Sequence, residues 1–197
     1  MNNFSSSRIA LLLALVFGLA FPSLALAEDG QGIFISQVGI GAAMPSYPSA
    51  VEYLFSAAES SPGVDRIKFS LDIAAGLSVS PGYYIMARID GMGDRVFDSA
   101  DYLQLNLYLY SMGLRAYLPE SGLYAEAGAG GSRAIASSST GGSSASDFDF
   151  GYALAMGYSF SRSRRGIGLG LEARYLGLSI DNESCGGLML TVNLCWQ

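Results

Sequence analysis

Hydrophobic and polar residues alternate with a period of two along much of the chain. The clearest example is the segment 67–79, where the even positions are polar or small and the odd positions are Ile67, Phe69, Leu71, Ile73, Ala75, Leu77 and Val79. Successive side chains of a β-strand point to opposite faces, so this pattern predicts a strand with unlike faces. Seven other segments repeat it: 34–43, 83–90, 102–118, 123–131, 148–160, 167–178 and 188–196. We therefore expect an all-β chain of eight strands.

Short and long connections alternate between these segments. The short ones are 80–82, 119–122 and 161–166, and the long ones are 44–66, 91–101, 132–147 and 179–187. Short turns at one end and longer loops at the other are typical of transmembrane barrels. The pattern predicts an up-and-down antiparallel barrel with four longer exposed loops.

The residue types on the polar faces indicate which face lies inside. One such face carries Tyr124, Glu126, Gly128 and Gly130. Glycine weakens a strand that merely faces water, but it suits the crowded interior of an eight-stranded barrel. A soluble lipocalin-like barrel would also alternate, yet the small polar face favours an apolar face turned to lipid and a lumen filled by side chains.

Four segments resemble the small OmpA/OmpX-type and opacity-like outer-membrane barrels: 122–130 (GLYAEAGAG), 150–160 (FGYALAMGYSF), 168–179 (GLGLEARYLGLS) and 188–196 (LMLTVNLCW). The resemblance is one of pattern over residues 28–197. It implies contact with outer-membrane lipid and with the barrel-assembly machinery during insertion. Such barrels usually end on an aromatic residue, whereas here Trp196 is followed by Gln197.

The N-terminal segment has the features of a secretory signal peptide. Arg8 precedes an apolar run at 9–20, and the small-residue triplet Ala25-Leu26-Ala27 follows Pro22. We expect cleavage after Ala27, a single barrel domain at 28–197 and a location in the bacterial outer membrane. No later stretch approaches the length of apolar sequence that a membrane-spanning helix needs, which excludes a helical membrane protein.

Composition narrows the possible chemistry. The formal net charge of −6 argues against nucleic-acid binding, and the absence of histidine removes the commonest general base near neutral pH.

Asp94, Asp98 and Asp101 lack the spacing of a calcium loop and are interpreted as solvated loop charges. Cys185 lies in the last loop and Cys195 near the far end of the last strand, so the two are expected to stay unbonded. We therefore expect no catalytic residue, metal site or cofactor.

The alternation predicts a charge network in the lumen. Counting back from the turn at 119–122 places Arg115 opposite Glu126. Because the odd leucines at 103–109 are expected to face lipid, we predict a β-bulge near Gly113 that turns Arg115 inwards. The inward charges are then balanced, four of each sign: Lys68, Arg88, Arg115 and Arg174 against Asp72, Asp90, Glu126 and Glu172.

The favoured function is a non-enzymatic outer-membrane barrel with a structural or surface-interaction role, whose loops meet an external ligand or host surface. The alternative is a narrow channel or carrier for a small or apolar solute. Eight strands leave no wide aqueous channel, which favours the first hypothesis.

Overall fold

A computed structural model of the chain describes residues 34–160 and 166–196. The predicted signal peptide at 1–27, most of the turn at 161–166 and Gln197 lie outside the described residues. The elements in chain order are β1 (Phe34–Ser46), α1 (Ser49–Glu59), β2 (Asp65–Ser80), β3 (Tyr83–Phe97), β4 (Tyr102–Tyr117), β5 (Leu123–Ser138), β6 (Gly142–Ala145), β7 (Asp149–Ser159), β8 (Ile167–Ile180) and β9 (Glu183–Trp196).

The strands form one closed antiparallel sheet. Within the described residues each long strand pairs with its neighbours in sequence, and β1 pairs with β9 to close the circle. The short β6 pairs only with the end of β5, beyond the point where β7 stops. Because β6 and β7 follow one another along β5, the barrel has eight strand positions. The expected eight-stranded, all-β, up-and-down barrel is confirmed.

The two faces of the sheet differ as the alternation predicts. Large apolar side chains cover the outside, and examples from different strands are Ile40, Leu71, Met112, Met156 and Ile167. The inward positions hold buried polar and charged side chains together with small and apolar ones. A sheet with this distribution has its apolar band outside and its polar groups inside, as in a membrane barrel.

Three of the four predicted long loops are wrong. β3 continues to Phe97, β5 to Ser138 and β8 to Ile180, so the loops at 91–101, 132–147 and 179–187 consist largely of strand. The β8–β9 connection is a tight turn at Asp181 and Asn182, whose positive φ angles of 51° and 66° fit a two-residue hairpin. Among the connections that lie wholly within the described residues, only the one between β1 and β2 is long.

Glycines explain why β3 resembled a loop in the sequence. Gly91 and Gly93 lie in the paired part of β3, where they break the apolar alternation. Aromatic rings from neighbouring strands lie over them: Tyr108 covers Gly91 and Phe69 covers Gly93. The aromatic rings provide the apolar surface that the glycines lack, so the strand continues through them.

The predicted β-bulge near Gly113 is also wrong. The pairing of β4 with β5 runs unbroken from Leu103 opposite Ser138 to Tyr117 opposite Tyr124. Arg115 nevertheless points inwards, because all the odd positions of this strand do. The odd leucines therefore face the lumen rather than lipid. A one-residue offset occurs instead between β6 and β7.

α1 fills the one long connection. Pro48 precedes it in extended conformation, and its carbonyl oxygen accepts the backbone N–H groups of Val51 and Glu52. Phe55 is 3 % exposed and anchors the helix to the barrel. No α-helix in the described ranges is both long and apolar enough to cross a membrane.

The lumen is filled in three layers. Near the chain ends, Ile35, Ala74 and Met86 form a small apolar cluster. The middle layer is charged. Towards α1 lies a larger apolar cluster, made by Ala43, Met92, Leu107, Leu109, Ala153, Leu176, Leu178, Ile180 and Met189. Leu107 and Leu109 belong to this cluster and therefore face the lumen. The sequence had predicted that they face lipid, because the whole lumen was expected to be polar.

Candidate functional site: a buried charge cluster in the lumen

The middle layer of the lumen brings together seven of the eight charged residues singled out from the sequence. Each is at most 5 % exposed and lies at an inward position of its strand. The seven come from five strands: Asp72 from β2, Arg88 and Asp90 from β3, Arg115 from β4, Glu126 from β5, and Glu172 and Arg174 from β8. We call these seven residues the lumen cluster.

Arg115 and Glu126 are direct neighbours across β4 and β5. Both Nε and Nη2 of Arg115 lie 2.7 Å from Oε2 of Glu126. The guanidinium also stacks on the ring of Tyr124, with Cζ 4.2 Å from the ring centre. The arginine is thus held by a charge on one side and by an aromatic face on another.

Arg88 joins the two sides of the lumen. Its Nε donates to Asp90 at 2.9 Å, and its Nη2 donates to Asp72 at 2.7 Å. The same guanidinium reaches across to Glu172, with 3.2 Å between Nη1 and Oε2. β3 and β8 are not adjacent in the sheet, so this bond crosses the interior of the barrel.

Glu172 contacts all three arginines of the cluster. Besides Arg88, it accepts from Nε of Arg174 at 3.0 Å and from Nη2 of Arg115 at 3.4 Å. The hydroxyl of Tyr124 donates to its Oε2 at 2.8 Å. Glu126 likewise contacts every arginine, including Nη2 of Arg174 at 2.5 Å. The two glutamates therefore connect the cluster.

Lys68 is not part of this cluster. It is half-buried near the α1 end of β2, and among the described residues it forms no ion pair with the cluster acids. The expected balance of four charges of each sign is therefore wrong: three arginines face four carboxylates. The surplus shows at Asp72 and Asp90, because the Oδ2 atom of each is buried with no hydrogen-bond partner, whereas Oδ1 of Asp72 binds Arg88 and Gln37.

A second ion cluster holds α1 against the barrel. Arg66 donates to Asp94 through Nε at 2.9 Å and Nη2 at 2.7 Å, and its Nη1 reaches Glu59 at 3.0 Å and Glu52 at 3.3 Å. Its guanidinium lies 5.2 Å above the ring centre of Phe55. We call this group the helix latch.

The interpretation of Asp94 as a solvated loop charge is wrong, because its side chain is fully buried in the helix latch. Next to it, burial and then the Asp94 carboxylate raise the pKa of Tyr47. Asp98 does lie in a turn, where the backbone N–H groups of Asp101 and Ala100 lower the pKa of its carboxyl. The sequence did contain a sign that Asp94 points inwards, because Asp94 continues the row of even-numbered inward positions of β3.

The acids and cysteines of the described residues do not form a candidate metal site. No three or more of these side chains are arranged so that they could hold a metal ion. Both cysteines are free, and the Cys195 thiol lies 3.9 Å from Oε1 of Gln37. Every carboxylate of the lumen cluster is engaged by at least one arginine. The geometry thus holds charges in fixed positions inside a filled lumen.

No protein-family model matches the sequence, and no curated protein matches it. Solved structures do share its fold. Neisserial surface protein A (NspA) aligns with a TM-score of 0.52 and 17 % identity, covering 85 % of this chain and 97 % of that one. Ail, the attachment invasion locus protein of Yersinia pestis, aligns with a TM-score of 0.51 and 13 % identity, covering 82 % and 98 %. The chain therefore has the fold of the small eight-stranded outer-membrane barrels.

Proposed function

We propose that the protein is a non-enzymatic integral barrel of the bacterial outer membrane, with a closed lumen and a structural or surface-interaction role. The observation that carries the proposal is the inverted distribution of side chains. Large apolar residues cover the outside of the long strands except β5, whose outward positions are mostly alanine or other small residues, while the arginines and carboxylates of the lumen cluster are buried. Such a surface is stable in lipid and would aggregate in water.

The filled lumen supports a closed barrel over a channel. The charged layer and the apolar layer towards α1 lie one above the other, and most of their side chains are fully buried. The helix latch also holds α1 against the end of the barrel where the apolar layer lies. Water and ions crossing this interior would have to break buried ion pairs, each of which is costly to disrupt.

The exposed end of the barrel is the part available for contacts with the outside. It consists of α1, which carries the exposed Tyr53 and Leu54, and of the hairpin ends of the long strands, including β6. Helix and strand thus occupy much of the chain where the sequence predicted four longer exposed loops. Surface interaction would then involve an end of the barrel built from helix and strand.

Membrane insertion and orientation can be tested together in intact cells. Ser143 in β6 and Ser80 at the β2–β3 turn are both exposed and lie at opposite ends of the barrel. In a background with both native cysteines replaced by serine, a membrane-impermeant thiol reagent should label Ser143→Cys and leave Ser80→Cys unlabelled until the cells are lysed. Equal labelling of both in intact cells would contradict the orientation, and recovery in the soluble fraction would contradict the proposal.

Channel function has a separate readout. A closed lumen predicts no steady conductance when the refolded barrel is inserted in a planar bilayer. A large and steady conductance would favour the channel hypothesis instead.

A further inference from the structure

Among the described residues, two arginines point outwards rather than into the lumen. Arg95 of β3 and Arg133 of β5 lie at odd positions, and the even positions beside them, such as Asp94 and Ser132, are fully buried inside. β4 separates the two strands. Arg95 pairs with Gln104, and Arg133 pairs with Tyr108.

The two arginines lie at the same end of the barrel. Arg95 is 12 residues beyond Tyr83 and Arg133 is 10 residues beyond Leu123, where the two strands leave the short turns. With a rise of about 3.3 Å per residue and a tilt of about 40°, these separations correspond to heights of about 30 and 25 Å. The apolar band of an outer-membrane barrel is about 25 Å tall. Both guanidinium groups therefore lie at the edge of that band.

Aromatic rings hold both side chains at this edge. Cζ of Arg95 lies 4.5 Å from the ring centre of Tyr102 and 5.6 Å from that of Phe97. Cζ of Arg133 lies 5.2 Å from the ring centre of Phe148, which in turn packs edge-on against Tyr110 at 5.6 Å. Aromatic residues of this kind mark the boundary between hydrocarbon and headgroups.

These two arginines differ from the other described arginines of the barrel in that no carboxylate holds them. Within 34–160 and 166–196, neither Arg95 nor Arg133 forms an ion pair, in contrast to Arg66 and the three arginines of the lumen cluster. Nε of Arg95 is buried without a hydrogen-bond partner. Arg133 donates its Nε to the Ser146 carbonyl at 2.9 Å, so its two terminal nitrogens are available to a ligand.

Two acids near the pair, Asp98 and Asp101, accept hydrogen bonds from neutral groups and form no ion pair with either arginine. Oδ1 of Asp98 accepts the backbone N–H groups of Ala100 and Asp101, each at 2.7 Å. Oδ1 of Asp101 accepts the Ser139 hydroxyl at 2.6 Å. Between the two arginines, β4 presents the outward amides of Gln104 and Asn106, which bond to each other at 2.9 Å. We call Arg95, Gln104, Asn106 and Arg133 the rim patch.

We propose that the rim patch binds the phosphate groups of anionic lipid headgroups in the membrane leaflet at the α1 end of the barrel. This inference rests on the proposed function, because it requires a membrane around the barrel. Guanidinium groups bind phosphate oxygens through two parallel hydrogen bonds. The patch lies on the outer wall of the barrel and continues along β4 into the outward apolar residues Tyr110 and Met112. The acyl chains of a lipid whose headgroup binds the arginines would therefore lie along the apolar band.

The test uses the refolded full-length barrel in phosphatidylcholine vesicles that contain phosphatidylglycerol as the anionic lipid. After gentle extraction, native mass spectrometry counts the phosphatidylglycerol that stays bound. Arg95→Gln and Arg133→Gln should each reduce the enrichment over phosphatidylcholine about fivefold, the effect typical of one basic residue near an anionic surface. Lys68→Gln removes the same charge from an inward position and should leave the enrichment unchanged.

A conservative variant and a competitor sharpen the result. Arg133→Lys keeps the charge but loses the paired hydrogen bonds, so we expect partial retention. Equal enrichment in the wild type and both glutamine variants overturns the proposal, as does loss of the enrichment when inorganic phosphate is added, since that identifies a general anion site. Flotation of the same samples with the vesicles reports insertion separately. A barrel that floats without enrichment refutes the rim patch alone, whereas one that does not float refutes the proposed function as well.

Discussion

Arg115 and Glu126 face each other across β4 and β5, and their side chains meet in the lumen with 2.7 Å between Nη2 and Oε2. Their contact depends on a register that runs unbroken along both strands. It also shows that a buried charge pair can be located from a turn and the period of two, even when the reason given for its inward direction, a bulge at Gly113, is wrong.

Replacing Glu126 by alanine should destabilise the barrel strongly. The change leaves Arg115 and Arg174 without a main partner in a buried site, for which a cost of about 3–5 kcal/mol is typical. Glu59→Ala is the control, because this acid is half-exposed in the helix latch and such pairs contribute about 0–1 kcal/mol. Urea midpoints of the barrels refolded in detergent measure both. Equal midpoints would refute the structural role of Glu126.

The same loss should be partly reversed by a second change. Arg115→Met removes the guanidinium that Glu126→Ala leaves unpaired and puts an apolar side chain of similar length in its place. The double variant is therefore expected to be more stable than Glu126→Ala alone. A double variant whose urea midpoint falls further would show that Arg115 is held mainly by Tyr124 and Glu172.

The surplus of carboxylates predicts unequal effects of two isosteric variants. Asp72→Asn removes an acid whose Oδ2 has no partner and leaves three charges of each sign. Glu172→Gln removes the acid that contacts three arginines and Tyr124. We expect Glu172→Gln to lower the urea midpoint clearly more than Asp72→Asn. The reverse order would show that Asp72 carries more of the cluster than its contacts indicate.

The helix latch should control the stability of the β1–β2 connection. Arg66→Met removes every ion pair that ties α1 to β2 and β3 while keeping a long side chain over Phe55. Limited proteolysis should then cleave within 48–64 faster than in the wild type. Lys68→Met is the matched control on the same face of β2. Identical cleavage rates for the two variants would mean that Phe55 and Tyr47 alone hold the helix.

The inward direction of the odd leucines in β4 can be tested through packing. Leu109 is fully buried in the apolar layer, so Leu109→Ala creates a cavity with an expected cost of about 2–5 kcal/mol. Met112 on the same strand is 66 % exposed on the outer face, where lipid fills the space that its truncation leaves. Met112→Ala should therefore cost less in the same refolding assay. A larger loss of stability for Met112→Ala than for Leu109→Ala would instead support the bulge predicted from the sequence.

The fold was largely predictable because period-two alternation is a direct consequence of strand geometry. The limits came where small or apolar residues occupy inward positions. Gly91 and Gly93 hid the end of β3, and the leucines of β4 resembled a lipid-facing row because the lumen was expected to be polar throughout. For α1 a signal was present, since Val51, Phe55 and Ala58 have helical spacing and form its inner face.

The candidate site was predictable only in part. Alternation located eight inward charges, of which seven meet in the lumen cluster, but it does not show how far along the lumen each one lies. Lys68 therefore appeared equivalent to Asp72, although the two are on the same face of β2 at different heights. The helix latch depends on a contact between α1 and two strands, which spacing along the chain does not reveal.

The most direct test of the account is a scan of β7 with a nitroxide spin label at each position from 150 to 158, in lipid vesicles. Even positions such as Met156, 70 % exposed, should collide with lipid-soluble oxygen and be shielded from a water-soluble nickel chelate. Odd positions such as Ala153, fully buried, should be shielded from both. A period-two alternation of this kind is the predicted result. Access of the nickel chelate to the odd positions would contradict the filled lumen, and its access to the even positions would contradict a barrel whose apolar face lies in lipid.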